Sequence, residues 1–218
     1  MDHWPTNGFN VFVWRCAMGY SVEDVKGWIG EATLATWRQM SVTNIPKDGG
    51  GYTYTDKDPQ STNTSGSAAS WVTGKLRAVN VDVNDHGGAQ KIGGFWVKLG
   101  VITERTKFGR CLHMSGLAAV HLLNNANFDN VKIYVVGSTA YDHHFVLLDI
   151  FHSTDQKWQR FVVDIWQGRV DNSNNFVYTD ATHLYYRHGN LVTFFDFSSG
   201  ANHRQTDRSL IAEARQVN

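Results

Sequence analysis

Cysteine is scarce in this chain: Cys16 and Cys111 are its only two in 218 residues. Two thiols do not make a disulfide framework. Long apolar runs are missing too, and none approaches the ~20 residues that a bilayer span needs. The opening stretch "MDHWPTNGFNVFVWRCAMGY" lacks the basic n-region and unbroken apolar h-region of a secretory signal. That predicts synthesis in the cytosol and, for any export, a route without a cleaved peptide. A Cys16–Cys111 bridge is not expected in that setting. Net charge is also absent, since Lys+Arg and Asp+Glu both total 20. Nothing in that balance suggests a nucleic acid or an anionic membrane as partner, because either would need a basic face.

Several chemical signatures are lacking as well. Ten histidines invite a metal, and the available pairs are His113/His121, His143/His144 and His183/His188. None has the i, i+4 spacing of HExxH, and no CxxC accompanies them, so no metal site is expected. The glycine stretch "GGAQKIGG" (87–94) has neither the terminal Gly-Lys-Ser/Thr of a P-loop nor the GxGxxG order. No cofactor is expected, and no internal repeat is visible.

What is present is the composition of a folded protein, 42% hydrophobic and 13% aromatic with eight tryptophans. The length suits one substantial core. Residues 1–218 read as a single domain with an N-terminal elaboration over about residues 1–100. Within it, "SVEDVKGWIGEATLATWRQM" (21–40) predicts a helix. Ser21 can cap it, and Val22, Val25, Trp28, Ile29, Ala32 and Ala35 recur at helical spacing. Residues 44–70, with Gly49-Gly50-Gly51, Pro46 and Pro59, predict a long flexible loop. The alternation of Val79, Val81 and Val83 favours a strand, and "GGFWVKLGVIT" reads as another.

A second helix opens at Cys111 and runs to the Asn-rich "NNANFDN". Four strand-like segments follow: "VKIYVV" (131–136), "HFVLLDI" (144–150), "WQRFVVDI" (158–165) and "LVTFFDF". A helix followed by strands with short connections predicts an α+β domain, an antiparallel sheet packed on helices.

Three positions in that frame carry chemistry. "GRCLHMSGLAAVHLL" (109–123) places Cys111 where a helix N-terminus would lower its pKa and make it nucleophilic. "YDHHFVLLD" (141–149) puts a histidine pair at the head of a strand, and "FVVDIWQG" (161–168) puts Asp164 at the end of the next. A hairpin pairing residue 150 with residue 157 would set His143 opposite Asp164. A carboxylate there fixes the imidazole's tautomer, and the imidazole can take the thiol's proton. Strand alternation sends His143 to the face of Phe145 and Leu147, and His144 to that of Val146, Leu148 and Ile150. The second face is the more apolar, so burial alone would favour His144 against the helix.

In this order the three stretches resemble the papain-like cysteine hydrolase superfamily. There a helix opens with the nucleophilic Cys, and His with Asp or Asn lies on neighbouring strands. The phrasing DHxFVxL followed by VVDxW is similar to bacterial effector and toxin members that deamidate or hydrolyse amides. The general layout is also similar to the peptidoglycan-cleaving NlpC/P60 branch. The resemblance covers roughly residues 105–168. It implies Cys111 as nucleophile, His143 as general base and then acid, and Asp164 as the orienting carboxylate. It favours His143 over His144 through the aromatic two positions on.

The chain departs from the pattern at a second histidine, His144, and in having no glutamine just upstream of Cys111 as oxyanion donor; Gln90 is too distant in sequence to assign. The resemblance further implies an effector toxin delivered by a specialised machine such as type VI secretion, with a carrier and a cognate immunity protein as partners. Its substrate would be a peptidoglycan peptide or amide bond or, alternatively, an amide of a target-cell protein. A non-catalytic, aromatic-rich binding module is the rival, with Trp71, Trp96, Trp158 and Trp166 near strand-like segments.

Overall fold

In the computed structural model, the described residues are 19–39, 41–42, 45–46, 52–53, 93–124, 131–140, 143–170, 173 and 175–197, with 209, 211, 212 and 215. The expected strand around Val79–Val83, most of the 44–70 loop, Cys16, Trp71 and Gln90 lie outside them. Helix α1 spans Val22–Gln39. It opens with a complete capping box: the Ser21 Oγ accepts from the Asp24 N–H at 3.1 Å, and Asp24 Oδ2 accepts from the Ser21 N–H at 2.9 Å. Gly30, at φ 83° and ψ 166°, breaks the helical path midway, so the expected single helix is two pieces joined at a kink.

The segment "GGFWVKLGVIT" is not a strand. It lies within helix α2, Gly93–Thr106. Its Val, Ile, Phe and Trp content looks like a strand, but Phe95, Trp96, Val97, Leu99, Val101 and Ile102 are all buried. A helix apolar nearly all round is a core helix, and periodicity alone does not separate it from a buried strand. Lys107, at φ 55°, ends α2, and the short β4 (Phe108–Gly109) leads directly into helix α3, Cys111–Asn124. Helices α2 and α3 touch backbone to backbone at Gly100 and Gly116. A Cβ on Gly116 would lie 2.9 Å from the Gly100 nitrogen and 3.0 Å from the Trp96 carbonyl oxygen. Glycine therefore sets how closely the Cys-bearing helix seats on its neighbour.

Four longer strands follow α3 as the sequence predicts: β5 (Val131–Ser138), β6 (His143–His152), β7 (Lys157–Val163) and β9 (Leu191–Phe197). Between β7 and β9 come helix α4 (Ile165–Val170), strand β8 (Val177–Thr179) and helix α5 (Leu184–His188). The five strands form one antiparallel sheet in the order β8-β7-β6-β5-β9. The class is α+β. Very short strands β1 (Ser41–Val42), β2 (Ile45–Pro46) and β3 (Tyr52–Thr53) lie outside it, β1 pairing with β4 and β2 with β3.

Alternation along central strand β6 sorts the core into two clusters. Val146, Leu148 and Ile150 join Leu117, Val120 and Trp96 in the larger one, on the α3 side. Phe145 and Leu147 join Val136, Val162 and Tyr178 in a smaller one, with Tyr185 and Tyr186 of α5 against it. Leu117 and Leu148 are both fully buried, and truncation of either to Ala would cost roughly 2–5 kcal/mol. This packing holds the start of α3, the head of β6 and the end of β7 in fixed relation. Among the described residues, no helix is long and apolar enough to cross a membrane.

Candidate active site

Arg110 is the N-cap of α3, its carbonyl accepting from the Met114 N–H at 3.0 Å. His113 closes the turn from the other side: its Nδ1 accepts from the Arg110 N–H at 3.3 Å, half of a capping box made with a ring nitrogen. Cys111 is therefore the first residue of the helix, where backbone N–H groups have no intrahelical acceptor and the helix field favours an anion. Its free thiol is buried.

Two imidazoles bear on that thiol. His144 Nδ1 lies 3.9 Å from Cys111 Sγ, and His143 also acts on the thiol's ionisation. Burial by itself pushes the thiol up. Hydrogen bonds and charge from His143 and, next, His144 outweigh it and bring the Cys111 pKa down to about 6. Of the two, His143 has the stronger effect on the thiol.

Asp164 sits where the chain leaves β7 and turns into α4. Its Oδ1 accepts from the Gln167 N–H at 2.9 Å, making it the N-cap of that helix, and its own N–H donates to the Phe176 carbonyl at 2.8 Å. Its Oδ2 lies 2.6 Å from His143 Nε2 and 2.8 Å from His183 Nε2. Burial favours the neutral acid, but the charges and hydrogen bonds of His143 and His183 prevail and hold the carboxyl well below the usual carboxylate range. For His143, burial disfavours the imidazolium. The Asp164 charge and hydrogen bond, with a smaller push from Cys111, raise its pKa to about 10. With Nε2 taken by Asp164, Nδ1 is the nitrogen left for the thiol.

The structure thus brings Cys111, His143 and Asp164 together, with His144 beside them. The expected hairpin register is corrected: Ile150 pairs with Gln159, two positions beyond the expected partner, and Lys157 pairs with His152. The burial expectation is corrected too, since His143 is only 2% exposed whereas His144 is half-buried. His144 lies on the α3 side, as alternation indicated, with its ring 4.9 Å from that of Phe194. Gly137, paired with His144 across the sheet, leaves room for Phe194: a Cβ there would run into the ring.

His183 is the residue that sequence reasoning did not place in the site. It appeared only as half of a possible metal pair with His188, yet His183 is 1% exposed and His188 is on the surface. The one local signal is its position as N-cap of α5, where its Nδ1 accepts from the Tyr186 N–H at 3.1 Å.

His143, Asp164 and His183 are also the described residues grouped closely enough to suggest a metal. The donor set does not fit one. Ligands around a tetrahedral ion at ~2.0–2.1 Å stand roughly 3.3 Å apart, but these atoms are 2.6 and 2.8 Å apart, the spacing of N–H···O bonds. A His183 Nδ1 that accepts a backbone N–H also leaves the ring proton on Nε2, which then has no lone pair for a cation. In comparisons with protein-family models, curated proteins and solved structures, the chain matches none.

Proposed function

We propose that the chain is a cysteine-dependent amide hydrolase of papain-like type. The observation that carries this reading is a buried thiol at a helix start, its ionisation favoured by His143 and His144, with His143 Nε2 bonded to a buried carboxylate at 2.6 Å. In the proposed cycle the Cys111 thiolate attacks the amide carbonyl carbon, and the Cys111 N–H is one donor to the developing oxyanion. As the C–N bond breaks, the amine leaves with the Nδ1 proton of imidazolium His143. Water then attacks the thioester and gives a proton to Nδ1, and the C–S bond breaks. Carboxylic acid is released and the thiolate–imidazolium pair is restored.

Exposed aromatics do not favour a binding module. Of the described tryptophans, Trp37, Trp96 and Trp166 are buried, and only Trp158 stands out at 45% exposure. The substrate class rests on the resemblance: a peptidoglycan peptide or amide bond cleaved by a secreted effector toxin, or an amide of a target-cell protein. Mass spectrometry of purified peptidoglycan and of lysate proteins, after incubation with wild type and Cys111→Ala, tests both. New muropeptides made by wild type alone support the first. A shift of about one dalton at Asn or Gln, or new peptide termini, supports the second. Products made equally by Cys111→Ala would overturn the hydrolase reading.

A further inference from the structure

We infer that His183 is a positioning residue of the site: its Nε2–H holds the Asp164 carboxylate ionised and aimed at His143 throughout the cycle. This rests on the thiol-hydrolase reading above and adds a fourth member to its network. The argument is one of tautomers and counted donors.

The Tyr186 N–H can point only at an acceptor, so His183 Nδ1 carries no proton and the ring, when neutral, carries it on Nε2. That N–H meets Asp164 Oδ2 at 2.8 Å. With His143 and the Gln167 N–H, Asp164 receives three donors, two on Oδ2 and one on Oδ1. Three donors fix both the rotamer and the charge of a carboxylate that is 2% exposed. The rings of Phe145, Tyr178 and Tyr185, at 4.8, 5.1 and 5.8 Å from His183, surround it without supplying any ionic group. Asp164 is accordingly its ionic partner.

The consequence falls in the second half of the cycle. After His143 gives its Nδ1 proton to the leaving amine, its positive charge is gone. A buried carboxylate facing only that neutral ring would tend to draw a proton. The His183 and Gln167 N–H groups keep it an anion, so His143 retains its proton on Nε2. Its Nδ1 lone pair is then ready to take a proton from water.

The test measures the pH dependence of Cys111 alkylation by iodoacetamide, in a Cys16→Ser background, for wild type, His183→Ala and His183→Gln. Without the third donor the buried carboxylate either takes a proton or swings off His143, and both weaken the hold on the thiolate. His183→Ala should raise the midpoint by about half a pH unit or more, and His183→Gln, which keeps an N–H donor, should recover most of that shift. A His183→Ala midpoint that is unchanged or lower, with only the thermal midpoint reduced, would make His183 a structural cap and overturn the inference.

Nitrogen-15 NMR of the wild-type ring gives a reading that needs no variant. A neutral ring protonated on Nε2 is expected, and one protonated on Nδ1 overturns the inference. An ordinary thiol midpoint in wild type, near 8.5, would instead defeat the hydrolase reading itself, so the two failures are distinguishable.

Discussion

His143 Nε2 and Asp164 Oδ2 are 2.6 Å apart, although strand pairing does not set the two residues opposite each other. The β6–β7 ladder ends at Val146–Val163, and its register continued by one step would bring Phe145 beside Asp164. The contact forms because Asp164 has left the strand and is capping α4, which turns its second oxygen toward the head of β6. An asparagine at that position would place an NH2 group against at least one of the three N–H donors that Asp164 now receives. Asp164→Asn should therefore lose rate on the order of 10²–10⁴ and also lower the thermal midpoint. Hydrolysis rate and thermal melting on the same preparation check this.

The two histidines at the thiol are expected to separate by role. His143→Ala removes the only one bonded to Asp164 and should cost on the order of 10³ in rate. His144→Ala removes the weaker influence on the thiol and should leave measurable activity, with the alkylation midpoint displaced upward. Rates measured side by side decide it. A dead His144→Ala beside an active His143→Ala would move the general base to His144.

Chelation and alkylation should act oppositely. The proposed chemistry needs a thiolate and no cation, so EDTA should leave the rate intact while iodoacetamide abolishes it. Assay of treated and untreated protein is sufficient. Loss of activity to EDTA, restored by zinc, would instead favour metal ligation by the His143–Asp164–His183 group.

Acid should destabilise the fold through two other histidines. Burial, with Arg110 and His144 nearby, lowers His113 from 6.5 to about 3. Burial lowers His121 from 6.5 to about 4 against the opposing pull of Glu104, with Arg215 and Lys107 adding to the decrease. Over those ranges the unfolded chain binds more protons than the folded one, so stability falls as pH drops below 6.5. A thermal midpoint lower by on the order of 10 °C at pH 4.5 than at pH 6.5 is expected. His113→Asn can still accept from the Arg110 N–H but does not titrate, and should show a smaller drop.

The elements legible in the sequence were those with a clear period or cap. Ser21 marks the start of α1, and alternation at His144–Ile150 marks β6 and sorts its two faces. The 93–103 segment reads as a strand because Phe95–Ile102 is apolar except for Lys98, and a helix buried nearly all round leaves too little polar face to reveal its period. In the site, Cys111, His143 and Asp164 were named from their positions at element boundaries. The register linking the last two was wrong by two residues. His183 was not placed because the bond that matters to it spans 19 residues and depends on how α5 folds back over the sheet, which no local pattern records.

The pH dependence of Cys111 alkylation in the native protein, read by mass spectrometry in the Cys16→Ser background, bears most directly on the thiolate–imidazolium pair. His143 and His144 bring the thiol to about 6, so the alkylation rate should rise with a midpoint near that value and be level by neutral pH. A midpoint near the ordinary thiol value of about 8.5, or a Cys111 that reacts only after unfolding, would contradict the account.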